Sequence, residues 1–192
     1  MMEQRRSEVR WPRRYNVLLG VGSLVVLIDQ ITKIWVDKTM KLYESTPIVP
    51  GLLDLHHIRN TGAAFGFLSG SNAGFRIPFF ILVSSVAIGI ILFLFYKLEE
   101  SEVMMPLALS LVLGGAIGNL IDRIRLGEVI DFILFHYKAF RWPAFNVADI
   151  GITVGVALLV LKIFLFEKGV NKHPAERLSR KGQVQGARNP EE

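Results

Sequence analysis

The chain has 192 residues, room for one domain, and 51% of them are hydrophobic against 20% charged, a balance that points to lipid as the solvent. It has no cysteine, which excludes thiol nucleophiles, thiolate metal sites and disulfides. Its histidines, His56, His57, His136 and His173, form no HExxH pair, so neither a metal site nor a cofactor is expected, and the net charge of +5 reads as a topological signal with little reason to invoke nucleic acid.

A hydrocarbon core of ~30 Å needs roughly 20 apolar residues per helix. Residues 1–14 are a basic segment with Arg5, Arg6, Arg10, Arg13 and Arg14. They imitate the start of a secretory leader, but the apolar run after them continues past Ile28 into Asp29 and Lys33 without a small-residue cleavage pattern, so a retained signal anchor fits better. The first span is expected at about 15–36. The connection 37–76 contains Pro47, Pro50 and the alternating Leu52-Leu-Asp-Leu55, which predict a small sheet. A second span follows at about 77–96, with Pro78 in its first turn, and a third at about 103–123. Within the connection 124–147, Phe132 to Phe145 is apolar and aromatic with Lys138 and Arg141, too short to cross, and is expected to lie flat as an interfacial helix. The fourth span covers about 148–166, and 167–192 reads as a polar, disordered tail. The expected fold is thus an all-α membrane protein, a four-helix bundle with a small sheet in one loop.

Orientation follows from Lys and Arg. The two tails hold 11 of them in 40 residues and the equally long connection 37–76 holds four, which places both termini in the cytoplasm and the connections 37–76 and 124–147 outside.

Charged groups inside a span cost ~2.5 to 3.5 kcal/mol each on insertion scales, so each needs a partner or a purpose. Asp29 and Lys33 are spaced i, i+4 and can neutralise one another. Asn119, Asp122 and Arg123 are spaced i, i+3, i+4 and share a face with Gly115; packing, or a marker of the water boundary, is the plain alternative. Asp131 stands among apolar neighbours, where desolvation raises a carboxyl pKa. Asp149 fits the third position of a helix capped by Asn146, which alone would explain it. Convergence favours chemistry, because these groups and Asn60-Thr-Gly-Ala-Ala-Phe65 all fall at one depth. Two acids there, Asp131 and Asp149, can share a proton, one activating water and the other polarising a carbonyl.

Five blocks carry a resemblance: Asp29-Gln30 with Lys33; Asn60 to Phe65; Gly114-Gly-Ala-Ile-Gly-Asn-Leu-Ile-Asp-Arg123; Val129-Ile-Asp-Phe132; and Phe145-Asn-Val-Ala-Asp149. In these the chain resembles lipoprotein signal peptidase, signal peptidase II, over almost everything from Tyr15 to Phe166. The resemblance implies that Asp131 and Asp149 are catalytic, and that Asn60, Asn119, Arg123 and Asn146 line the site while Asp29 and Lys33 brace the first span. Gly62, Ala64, Phe65, Gly115, Asp122 and Ala148 lie in the same blocks as supporting positions. It also implies an aspartic endopeptidase of the bacterial cell membrane that removes signal peptides from diacylglyceryl-modified prolipoproteins, just before the lipidated cysteine, with membrane lipid as its surroundings. The competing reading of intramembrane acids is a proton-coupled transporter component, against which stand only four spans and no repeat symmetry. A monomer is the default, although Gly151 and Gly155 form a small-xxx-small pair.

Overall fold

The computed structural model describes residues 12–62, 68, 70–98 and 103–171. Ala64 and Phe65, the first eleven residues and the tail beyond Asn171 lie outside the described residues.

Four helices are long and apolar enough to cross a membrane. They are α1 (Arg13–Thr39), α2 (Ala73–Tyr96), α3 (Met104–Leu126) and α4 (Val147–Asn171). Helix α2 begins four residues before the expected span because Asn72 caps it, its Oδ1 accepting from the Gly74 amide at 2.7 Å. Pro78 therefore stands inside the helix. Helix α4 runs to Asn171, so the first residues assigned to the tail continue the span as helix.

Burial separates the four. Half of the apolar window of α3 is buried, against 11–17% in the other three, so α3 is the axis around which they pack. Its small residues allow this. A π-helical turn, Leu18–Gly22, interrupts α1 where it crosses α3, and a Cβ on Gly114 would lie 2.7 Å from the Gly22 carbonyl. Helix α2 is apolar all round and mostly exposed, as a lipid-facing wall should be. Helix α3 ends where Gly127 adopts φ 73° and its amide returns to the Arg123 carbonyl at 3.0 Å.

The connections form one antiparallel sheet, β1 (Ser45–Val49), β2 (Leu53–Asn60), β3 (Val129–Tyr137) and β4 (Phe140–Arg141), in that order. This corrects one expectation. Phe132 to Phe145 is no interfacial helix but β3, a short hairpin and a returning strand that bridges Phe145 to Ile133. The reason is pairing: β2 gives the amides and carbonyls of β3 their partners, with Ile58 opposite Asp131 and Asn60 opposite Val129. A continuous apolar run fits a helix as well as a strand until its partner is known.

The sheet has two unlike faces. Asp131, Phe135 and Tyr137 share one, with Phe140 paired to Tyr137 beside them. On the other, Ile130 and Phe132 bury against Val36 of α1, and farther out the His136 ring nitrogen sits 3.1 Å from Asp54.

Candidate active site

Five elements deliver the polar residues to the sheet end of the bundle. Asp29 and Lys33 come from α1, Asn119, Asp122 and Arg123 from α3, Asn60 and Asp131 from β2 and β3, and Asn146 and Asp149 from the start of α4.

The innermost group is ionic. Lys33 is 1% exposed and its Nζ lies 2.8 Å from Asp29 and 2.9 Å from Asp122, both fully buried. One lysine between two carboxylates gives both buried acids a cationic partner and offsets one of their two charges. Gln30 ties the same acids together, donating at 3.2 Å to each and to the Gly118 carbonyl. The acids also hold backbone: Asp29 accepts from the Ala148 amide at 2.9 Å, and Asp122 from that of Ile130 at 3.2 Å. Asp122 is therefore a buried joint between α3 and β3 and does not mark a water boundary. Gly115 and Gly118 make room, since a side chain on the first would meet the Ala148 carbonyl and one on the second would come 2.5 Å from Asp29.

Above this floor three amides are oriented without ambiguity. Asn119 accepts from Lys33 at 2.9 Å through Oδ1, so its Nδ2 donates to Asp149 at 2.8 Å. Asn146 accepts the Asp149 amide at 2.9 Å through Oδ1, leaving Nδ2 to donate to Asp131 at 2.7 Å. Asn60 accepts the Gly62 amide at 3.0 Å, and its Nδ2 donates to the second oxygen of Asp131 at 2.9 Å. Every side-chain NH2 of the set thus faces one of two acids.

Asn146 and Asp149 also form the expected cap, because the Asn146 amide donates back to Asp149 at 3.2 Å. Capping and chemistry coexist here: the reciprocal bonds fix the Asp149 carboxylate at the helix start. Arg123 reaches the Asn119 carbonyl at 3.4 Å and stacks its guanidinium 5.0 Å above Phe80.

Asp131 and Asp149 line one cavity of about 1090 Å³, together with Asn60, Asn119 and Arg123. Burial, helped by the charge of Asp149, pushes the Asp131 carboxyl from 3.8 up to about 7 against the opposing hydrogen bonds of Asn60 and Asn146. The arrangement can hold one proton between two acids beside an open, mostly apolar space. Sequence reasoning gave Gln30 no role and passed over Ala116 and Trp142, which line the cavity; a polar residue inside a span was the available signal for the first.

A membrane-spanning bundle in which two carboxyls border one cavity, one of them pushed up to about 7, has the makings of a membrane aspartic peptidase. Comparison with known proteins agrees. The family model for Signal peptidase (SPase) II matches residues 21–165. A lipoprotein signal peptidase of Geobacter metallireducens is 50% identical over 158 residues, covering 82% of this chain and 96% of that protein. One from Syntrophotalea carbinolica is 48% identical over 148 residues, 77% and 91% of the two chains. A solved bacterial membrane enzyme aligns with a TM-score of 0.72 at 34% identity, over 83% of this chain and 93% of its own. The chain belongs to the signal peptidase II family, and it is an aspartic-type endopeptidase that cleaves lipoprotein signal peptides in a bacterial membrane. The transporter reading finds no support among these relatives.

Proposed function

We propose that Asp131 and Asp149 are the catalytic pair, acting on diacylglyceryl-modified prolipoproteins just before the lipidated cysteine. The observation that carries this is their position: both carboxyls border one cavity, each is held by an oriented amide, and burial beside Asp149 favours the proton on Asp131.

Asp149, ionised, takes a proton from a water molecule as that water attacks the scissile carbonyl. Asp131, protonated, donates to the carbonyl oxygen and stabilises the tetrahedral intermediate. A proton then passes to the departing amine of the cysteine, the C–N bond breaks, and the signal peptide leaves with a new carboxylate. Asn60 and Asn146 keep Asp131 in place, and Asn119 does the same for Asp149. Lys33 acts through Asn119, while Asp29, Asp122, Gly115 and Ala148 fasten α1, α3 and α4 beneath the site. Gly62 orients Asn60, and Arg123 offers a cation at the cavity wall.

The substrate class agrees with the surroundings. A lipid-modified cysteine is held at a membrane surface and its signal peptide is an apolar helix, so a site at the end of the spans meets the scissile bond where both anchors place it. The exposed aromatic residues Tyr137, Phe140 and Trp142 suit the headgroup layer. The Lys and Arg bias puts both termini in the cytoplasm and the sheet on the extracytoplasmic side, with the basic tail inside. Both aspartates and the amides that hold them come from one chain, which favours a monomer.

The test is to incubate purified protein in detergent with one prolipoprotein in diacylglyceryl-modified and unmodified forms and to determine product termini by mass spectrometry. Cleavage of the modified form before the cysteine is expected. Equal cleavage of both, or cleavage elsewhere, would refute the substrate assignment.

A further inference from the structure

We propose that an ion pair between Asp37 and Arg59 is a latch that holds Asn60 on Asp131, so that both are positioning residues for the reaction; this rests on the two-aspartate reading above. Strand β2 presents alternate residues to opposite sides. Ile58 and Asn60 share the face of Asp131, whereas Arg59, opposite Ile130, borders the cavity but sends its guanidinium to the reverse side, onto Asp37. That reverse face packs on the end of α1, where Ile130 and Phe132 bury against Val36. Asp37 is the next residue of α1, and its carboxylate takes the Arg59 guanidinium at 2.5 Å.

A second contact reinforces the first. His57 is 3% exposed; its Nδ1 lies 3.0 Å from the Met40 carbonyl and its Nε2 3.6 Å from the same Asp37 carboxylate. The register of β2 against β3 shifts between Leu55 and Ile58, so the latch grips the strand where regular pairing is interrupted. Asn60, the last residue of β2, follows immediately.

Stability alone gives little reason for the pair. Asp37 and Arg59 are 34% and 23% exposed, and ion pairs with that access to water contribute little to folding. Placement is another matter, because a strand end frays unless it is held, and the Asn60 hydrogen bond to Asp131 requires β2 to stay docked. That bond favours the ionised form of Asp131. Losing it raises the proton affinity, so a released latch slows turnover and moves the high-pH limb of the rate profile upward.

The experiment measures kcat, KM and the pH profile of the full chain in detergent on a diacylglyceryl-modified prolipoprotein. It compares Asp37→Asn, Arg59→Gln, Asn60→Ala and the exchanged pair Asp37→Arg with Arg59→Asp. Each single change is expected to lower kcat by about ten- to a hundredfold with KM within about twofold, and to shift the high-pH limb in the direction given by Asn60→Ala. The exchanged pair recovers most of the rate. If Arg59→Gln does not fold, Arg59→Lys, which keeps the charge and loses the planar fork, carries the test by the limb alone. Wild-type rate and limb in Asp37→Asn or Arg59→Gln, a slower rate with an unmoved limb, or no recovery in the exchanged pair would overturn the latch. Asp131→Asn separates the two readings: if it is inactive while the latch variants behave as wild type, only the latch fails, and if it retains turnover, the two-aspartate reading fails.

Discussion

Asp122 and Asp131 are both buried acids joined to the same strand, yet they live in opposite electrostatic surroundings. Asp122 has Lys33 at 2.9 Å and no exposure, and it spends its second contact on the Ile130 backbone. Among the described residues, Asp131 is hydrogen-bonded by the neutral side-chain amides of Asn60 and Asn146, and it shares a cavity wall with another acid. A cation beside a buried carboxylate makes it a structural joint, and the lack of one leaves a group that can carry a proton. Depth in the fold alone does not distinguish the two; the partner does.

The sharpest way to break this contrast is to neutralise each side in turn. Asp131→Asn and Asp149→Asn are each expected to lower kcat by roughly 10²- to 10⁴-fold, the range for lost acid–base catalysis, while folded yield in detergent is unchanged. Lys33→Met should act chiefly on stability, with a smaller loss of rate through Asn119. It leaves Asp29 and Asp122 without their cation and is expected to cost about 3–5 kcal/mol, read as a lower unfolding midpoint. If Lys33→Met folds as well as the native protein, the floor is not an ionic joint.

Smaller effects refine the picture. Gly118→Ala places a methyl group against Asp29 and is expected to cost about 1–3 kcal/mol by overpacking, measured in the same unfolding assay. Asp131→Asn should also reveal its own strain. Between about pH 4 and 7 the native protein keeps a proton on Asp131 that the unfolded chain has lost, so native stability falls as pH rises through that window. The asparagine variant lacks that decline and gains on the native protein toward pH 7; parallel stability curves would contradict the raised pKa.

The sequence made the spans legible because lipid imposes a length and a composition that a single chain must show locally. The extensions at Asn72 and Asn171 came from a cap and from continued helix beyond the apolar run, which hydropathy does not register. The sheet was half legible. Leu52 to Leu55 alternates, but β3 reads as an uninterrupted apolar run whose partner lies some seventy residues earlier, so nothing local separated strand from interfacial helix. The acids were legible as residues but less so as partners. Asp29 with Lys33 follows from helical spacing, whereas Lys33 with Asp122, Gln30 with both acids, and Asp37 with Arg59 are set by how α1 lies against α3 and β2. Asp149 had a sufficient explanation as a capping residue, and the structure keeps that role while aiming the Asn119 amide at it.

The central claim, that Asp131 and Asp149 work by sharing one proton, is tested most directly by the pH dependence of kcat/KM for the native enzyme on a diacylglyceryl-modified prolipoprotein. The account predicts a bell whose descending limb falls near 7, where Asp131 loses its proton and two ionised acids face the carbonyl. A rate that stays level or keeps rising well above that pH would contradict it.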